Sequence, residues 1–248
     1  MTTRDEHLEI TVGGTAIDGT LVSPRRAAPG VLCVHGWGGS QEQYLARARA
    51  IAALGCVCLT FDLRGHAATQ AARDRVTRAD NLADTLAAYD VLAGQPHVDR
   101  DALAVVGSSY GAYLGALLTA ERPVRWLGLR APALYEDGGW ELPKAELAKH
   151  QDLRAYRGCK LATDANRALR ACCAFRGDVL IVESEHDDVV PHPTIDNYLE
   201  AARQARSLTY RVVDAADHGL STPDMQRAYT ELLVSWLHEM FAGARRSG

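Results

Sequence analysis

Short apolar runs alternate with amphipathic stretches along almost the whole chain. Leu8–Val22 alternates in two segments about Gly13-Gly14, which predicts a hairpin at a sheet edge. Val31–His35, bounded by Pro29-Gly30 and Gly36, reads as a buried strand. Ser40-Gln41-Glu42-Gln43 has the form of a capping box, after which Tyr44, Ala48, Ile51 and Ala52 share one helical face up to Gly55. The same alternation then recurs. Cys56–Phe61 is strand-like, and Leu82, Leu86, Tyr89 and Leu92 stripe a helix ending at Gly94. Ala102–Val106 predicts a strand, Tyr110–Ala120 a helix and Val124–Leu129 a strand. Val179–Val182, Thr194–Ala205 and Leu208–Val213 give a further strand, helix and strand. In the last helix Thr222 caps, Pro223 fits the first turn, and Met225, Leu232, Leu233, Trp236, Leu237, Met240 and Phe241 form the buried stripe.

Continuous apolar strands separated by helices imply an α/β fold, with a mostly parallel central sheet covered by helices on both faces. Ligands of such sheets bind at the carboxyl ends of the strands, so chemistry is sought just after each strand. Ala131–Arg176 breaks the rhythm with Trp140, Pro143, Tyr156 and many charges. It is longer than one crossover helix needs, and predicts a small helical cap after the sixth strand, inserted in a single domain spanning residues 1–248.

Composition narrows the class. With 248 residues, 47% hydrophobic and 23% charged, the chain suits a globular domain and excludes a disordered or fibrous one. Twenty-seven basic against thirty-one acidic residues leave −4, with no charge blocks, so neither a nucleic-acid nor an anionic-membrane partner is expected. Apolar runs such as Tyr113–Thr119 are too short to span a bilayer. The polar start, Met1 to His7, has no signal-peptide character. Six cysteines then read as reduced thiols of a cytoplasmic protein, with Cys33, Cys56 and Cys58 as small core residues. Oligomeric state leaves no mark in the sequence.

Gly107-Ser108-Ser109-Tyr110-Gly111 follows one predicted strand and opens a helix. This is G-x-S-x-G at a sharp strand-to-helix turn, where glycines relieve crowding and the central Ser109 hydroxyl stands above the sheet. A serine needs a base to take its proton. Of nine histidines, His218 in Asp217-His218-Gly219 follows the last strand, on the same face of the sheet as Ser109. The imidazole in turn needs a carboxylate. Glu183, Glu185, Asp187 and Asp188 crowd the preceding strand end, and spacing does not choose among them. His35-Gly36-Trp37-Gly38-Gly39 supplies a glycine-rich loop, whose Trp37 amide would pair with that of Tyr110 to hold an oxyanion.

Taken together, these segments resemble an α/β-hydrolase of the group that includes dienelactone-hydrolase-like proteins, cinnamoyl and related esterases, and serine-aminopeptidase-like hydrolases. The similarity runs from Asp18-Gly-Thr-Leu-Val-Ser-Pro24 to Trp236, through His35–Ser40, Phe61-Asp-Leu-Arg-Gly-His66, Gly107–Gly111, Asp187-Asp-Val-Val-Pro191 and Asp217–Gly219. The resemblance aligns Asp187 with the triad acid and makes Asp188 the runner-up. It implies a Ser109–His218–Asp187 serine hydrolase, without cofactor or metal, acting on a small ester-like molecule. Amide, thioester or C–C bond cleavage is the alternative, and a non-catalytic binding protein a remote one. Two departures stand out. Ala67 replaces a frequent glycine after Arg-Gly-His, and Ser109 stands where true dienelactone hydrolases carry cysteine, which argues against dienelactone chemistry.

His35, Arg64, Arg130 and Trp140 are candidate pocket residues; the arginines would favour an acidic substrate group but are expected to sit in ion pairs. His186, Asp187, Asp188 and His192 lack metal-ligand spacing, and there is no dinucleotide or phosphate-loop fingerprint.

Overall fold

The computed structural model describes residues 4–23 and 28–246; Met1–Thr3 and Pro24 of the Asp18–Pro24 segment lie outside them. Eight strands form one sheet: β1 (Arg4–Val12), β2 (Thr15–Ser23), β3 (Ala28–Val34), β4 (Val57–Phe61), β5 (Val98–Ser108), β6 (Trp126–Arg130), β7 (Asp178–His186) and β8 (Ser207–Asp217). Their order is β1-β2-β4-β3-β5-β6-β7-β8. β1 and β2 form the expected hairpin, with Gly13 and Gly14 both at positive φ, and β2 pairs antiparallel to β4. Every other pairing is parallel. The first layer of any site therefore lies above the carboxyl ends of β3, β5, β6, β7 and β8.

Side chains of β3 alternate between two cores, as the pleat requires. Val31 and Cys33 face a layer made by α1 (Glu42–Ala52) and α8 (Pro223–Arg246), with Ala48, Ile51, Leu233, Trp236, Leu237 and Phe241 buried there. Leu32 and Val34 face the opposite layer, made by α2 (Arg78–Ala93), α3 (Tyr110–Leu118), α6 (Arg167–Ala174) and α7 (His192–Ala201). The short α4 (Leu147–His150) and α5 (Leu153–Gly158) precede α6 within residues 131–176. α6 packs Ala168, Leu169 and Cys172 into the same core as α3. Cys33, Cys56 and Cys58 are buried free thiols, as expected of small core residues.

Three local expectations differ from the structure. No capping box forms at Ser40–Gln43, because Gln41 is drawn away: its N–H donates to Asp62 Oδ1 at 2.7 Å and its side chain reaches Asp62 and Thr20. The buried face of α2 begins with Arg78, Asn81 and Asp84 rather than Leu82 and Leu86, since that end of the helix lies under loops whose polar groups must be satisfied. β7 and β8 run on past their apolar stretches to His186 and Asp217, held by main-chain pairing that is indifferent to side-chain polarity. Among the described residues no helix is long and apolar enough to cross a membrane.

Candidate active site

Ser109 joins β5 to α3 with φ 53° and ψ −117°, a conformation costly for any side chain other than glycine's. The flanking glycines are required by contact. A Cβ on Gly107 would run into the Gly111 carbonyl, and one on Gly111 into the carbonyls of Val34 and His35. The turn is therefore pressed against the end of β3 while the hydroxyl projects away from it.

His218 follows β8 directly, with Nε2 2.9 Å from Ser109 Oγ and Nδ1 2.7 Å from Asp187 Oδ2. An ionised carboxylate only accepts, so Nδ1–H donates to Asp187, and Nε2 is left to accept the Ser109 hydroxyl proton. Asp187 Oδ1 meanwhile accepts the Val189 and Val190 N–H groups at 2.9 and 2.8 Å. The Asp187 side chain is 3% exposed. That burial pushes its carboxyl up, but the hydrogen bonds from His218, Val190 and Val189 outweigh it and hold Asp187 below the ordinary carboxylate value. The competing acids are engaged elsewhere: Glu183 with His192 and Tyr210, Glu185 with the Ala215 amide, and Asp188 in solvent.

The glycine-rich loop after β3 lies against this group. A Cβ on Gly36 would sit 3.4 Å from Ser109 Cβ, and the Trp37 and Tyr110 rings meet edge to face at 5.6 Å. Two neutral histidines hold the loop in place. Leu63 N–H donates to His35 Nε2 at 3.0 Å while His35 Nδ1–H donates to the Gly36 carbonyl at 2.8 Å. Gly38 N–H donates to His66 Nε2 at 2.9 Å, with φ 85° at Gly38 making that turn. Burial lowers both imidazoles, from 6.5 to about 4 in each, assisted at His66 by the neighbouring His35. Asp62 Oδ1 lies 3.9 Å from His35 Nε2, but that nitrogen is already an acceptor for Leu63 and carries no proton. His66 was visible in the sequence only as the end of the Phe61–His66 segment, without a role.

A cleft of about 360 Å³ opens at Ser109 between the Gly36–Gly39 loop, α1, α8 and the His218–Leu220 turn. Arg130 lines it; His35, Arg64 and Trp140 do not. Arg64 is taken by carboxylates, with Nε 2.5 Å from Asp84 Oδ1 and Nη1 3.3 Å from Asp80 Oδ1, the ion pair expected of it. Trp140 is held between the guanidiniums of Arg78 and Arg167, 5.3 and 4.3 Å from its ring. Arg130, expected to be paired in the same way as Arg64, instead donates to Ser108 Oγ, Ser184 Oγ and the His218 carbonyl, so it braces the turn that carries the imidazole. Arg47 of α1, like the polar Gln43 and Gln226, is a cleft residue that the sequence does not single out as one, although its position three residues after Tyr44 puts it on the buried face.

This sheet order, with these groups at the strand ends, defines a hydrolase of the α/β-hydrolase fold. Solved structures agree on the fold. Dienelactone hydrolase of Anabaena variabilis superposes with a TM-score of 0.67 at 19% identity, covering 96% of this chain and 98% of its own. Acylaminoacyl peptidase of Pyrococcus horikoshii gives 0.72 at 15% identity, covering 97% of this chain and 42% of its own. The sequence model of the prolyl oligopeptidase family matches residues 42–244, and the chain belongs to that family. Two uncharacterised proteins from strains of Mycobacterium tuberculosis are 28% identical over 194 residues, 77% of this chain; the match spans 63% of their length.

Proposed function

We propose that the chain hydrolyses carboxylic esters of small molecules through a serine-bound acyl intermediate. The observation that carries this reading is the unbroken chain from Ser109 Oγ through His218 to Asp187, 2.9 and 2.7 Å, ending on a strained turn beside a glycine-rich loop. Ser109 Oγ attacks the acyl carbonyl as His218 Nε2 takes its proton, and Asp187 stabilises the imidazolium. The backbone N–H groups of Trp37 and Tyr110 receive the developing oxyanion. His218 passes its proton to the departing alcohol, then takes one from the water that attacks the acyl carbon and returns it to Ser109 Oγ as the acid leaves.

The cleft's modest volume favours short and medium acyl groups over long lipids. Membership of the prolyl oligopeptidase family favours a second reading, amide cleavage by the same machinery, and the likeness to acylaminoacyl peptidase suggests an acylated amino acid as its substrate. Reduced thiols, including adjacent Cys172 and Cys173, support a cytoplasmic setting. Nitrophenyl acetate, butyrate and octanoate distinguish the readings when assayed beside an acyl-amino-acid anilide. Ester hydrolysis is expected with wild type, falling toward background by at least about 10⁴-fold in Ser109→Ala. Anilide cleavage with negligible ester turnover would favour the second reading, and Ser109-independent turnover would overturn both.

A further inference from the structure

The cleft beside Ser109 carries two guanidinium groups, and no Asp or Glu lines it. Arg47 is 8% exposed and Arg130 4%. Both lie against the ring of Tyr229, at 4.6 and 5.7 Å from its centroid. All the acceptors that hold them are neutral. Arg130 donates to two hydroxyls and one carbonyl, as described above, and Arg47 Nε donates to Thr230 Oγ1 at 3.2 Å. Among the described residues neither has a carboxylate within ion-pair distance, and none supplies a hydrogen-bond acceptor to Arg47 Nη1 or Nη2.

Arg64, Arg122, Arg170 and Arg206 each hold an aspartate instead. The buried Arg78 and Arg157, like Arg130, are held by neutral acceptors, chiefly main-chain carbonyls, but neither lines the Ser109 cleft. A buried cation costs stability unless it is paired, and two beside one ring repel each other. Their placement around a cleft, in a chain of net charge −4, concentrates a positive field where a substrate enters.

We infer that Arg47 and Arg130 form an anion subsite, and that the substrate is an ester bearing a free carboxylate that docks on these guanidiniums while its acyl carbon meets Ser109. Arginine's planar fork matches a carboxylate with two parallel charge-assisted hydrogen bonds, and the unused Arg47 terminal nitrogens are free to provide them. Arg130, committed to the His218 turn, contributes charge and its remaining N–H groups. This inference rests on the ester-hydrolysis reading and names its substrate class.

The test is calorimetry on Ser109→Ala, which binds without turning over, using monomethyl glutarate against its neutral analogue dimethyl glutarate. The monoanion is expected to bind at least about tenfold more tightly, with a preference that shrinks as salt is raised. Adding Arg47→Gln is expected to bring the ratio within about threefold, whereas Arg47→Lys retains part of it. Equal binding of the two esters, a preference that survives Arg47→Gln, or no binding of the monoester up to roughly 10 mM would overturn the subsite. Should Arg47→Gln fail to fold, Arg47→Lys and the salt dependence of Ser109→Ala decide alone. Because calorimetry needs no catalysis, failure of the subsite and failure of the ester-hydrolysis reading are separate results.

Discussion

Asp187 and Asp188 are adjacent in sequence, yet only Asp187 reaches His218, because its other oxygen is pinned by the Val189 and Val190 amides. If that carboxylate sets the imidazole tautomer, Asp187→Asn should preserve the fold and lower kcat by about 10⁴-fold, measured with nitrophenyl butyrate. Asp188→Asn should leave kcat within about twofold on the same assay. Ala67 offers a stability test away from the chemistry. It sits at φ 44°, a left-handed conformation in which a Cβ costs energy, at the position where resembling proteins often carry glycine. Ala67→Gly should raise unfolding stability by about 0.5–1 kcal/mol in urea titration, the relief of strain exceeding the added chain entropy. Ser109 and His218 could be proposed from sequence because motif and strand end coincide, and the structure sets Ser109 Oγ and His218 Nε2 2.9 Å apart. Arg47 could not, since an arginine on an amphipathic helix ordinarily reads as a solvated residue and only a third dimension reveals the cleft above it.

At the level of elements, the loop after β3 depends on imidazoles that stay neutral. His35 and His66 are ordinarily protonated near 6.5 in an unfolded chain but only near 4 in this fold. The unfolded state therefore binds more protons between those values, and the stability these groups contribute is complete above pH 6.5 and lost as pH falls toward 4. His192, held up by Glu183, works in the opposite direction, but on an exposed side chain where solvent screens it. Urea midpoints should accordingly be level above pH 7 and drop between about 6.5 and 4. His66→Gln, which keeps an acceptor for the Gly38 amide, should flatten that drop. A midpoint independent of pH across this window would contradict the neutral-histidine brace. The polar face of α2 is a second such device. Asp84 is fully buried against Arg64, with Asn81 between them and the Tyr110 hydroxyl. Asp84→Leu leaves Arg64 with only the more exposed Asp80 and its main-chain N–H without an acceptor, and should cost about 1–3 kcal/mol, with Arg64→Met in the same chain recovering part of it. Periodicity could not show this face, because a helix whose inner positions are Arg, Asn and Asp presents its apolar residues at the margins of the contact.

At the scale of the molecule, strand type, the two-faced sheet and the placing of chemistry at its carboxyl edge all followed from apolar runs and glycine turns. What the pattern left open is which wall closes the cleft. The cleft at Ser109 is framed by α1, α8 and the loops after β3 and β8, with no lining residue from Ala131–Arg176. Helices that cover a sheet and helices that wall a site share the same amphipathic pattern, and only packing separates them. This framing bears on the proposed specificity, since α1 brings Arg47 to the cleft.

The proposed chemistry stands or falls on Ser109 being the activated nucleophile. A fluorophosphonate probe followed by peptide mapping tests it most directly, because the reagent reacts only with a serine whose proton is being removed. One adduct on Ser109 is predicted in wild type, none in Ser109→Ala, and labelling slowed by at least about 10³-fold in His218→Ala. An adduct on Ser108 or elsewhere, or labelling that persists undiminished in Ser109→Ala, would contradict the account.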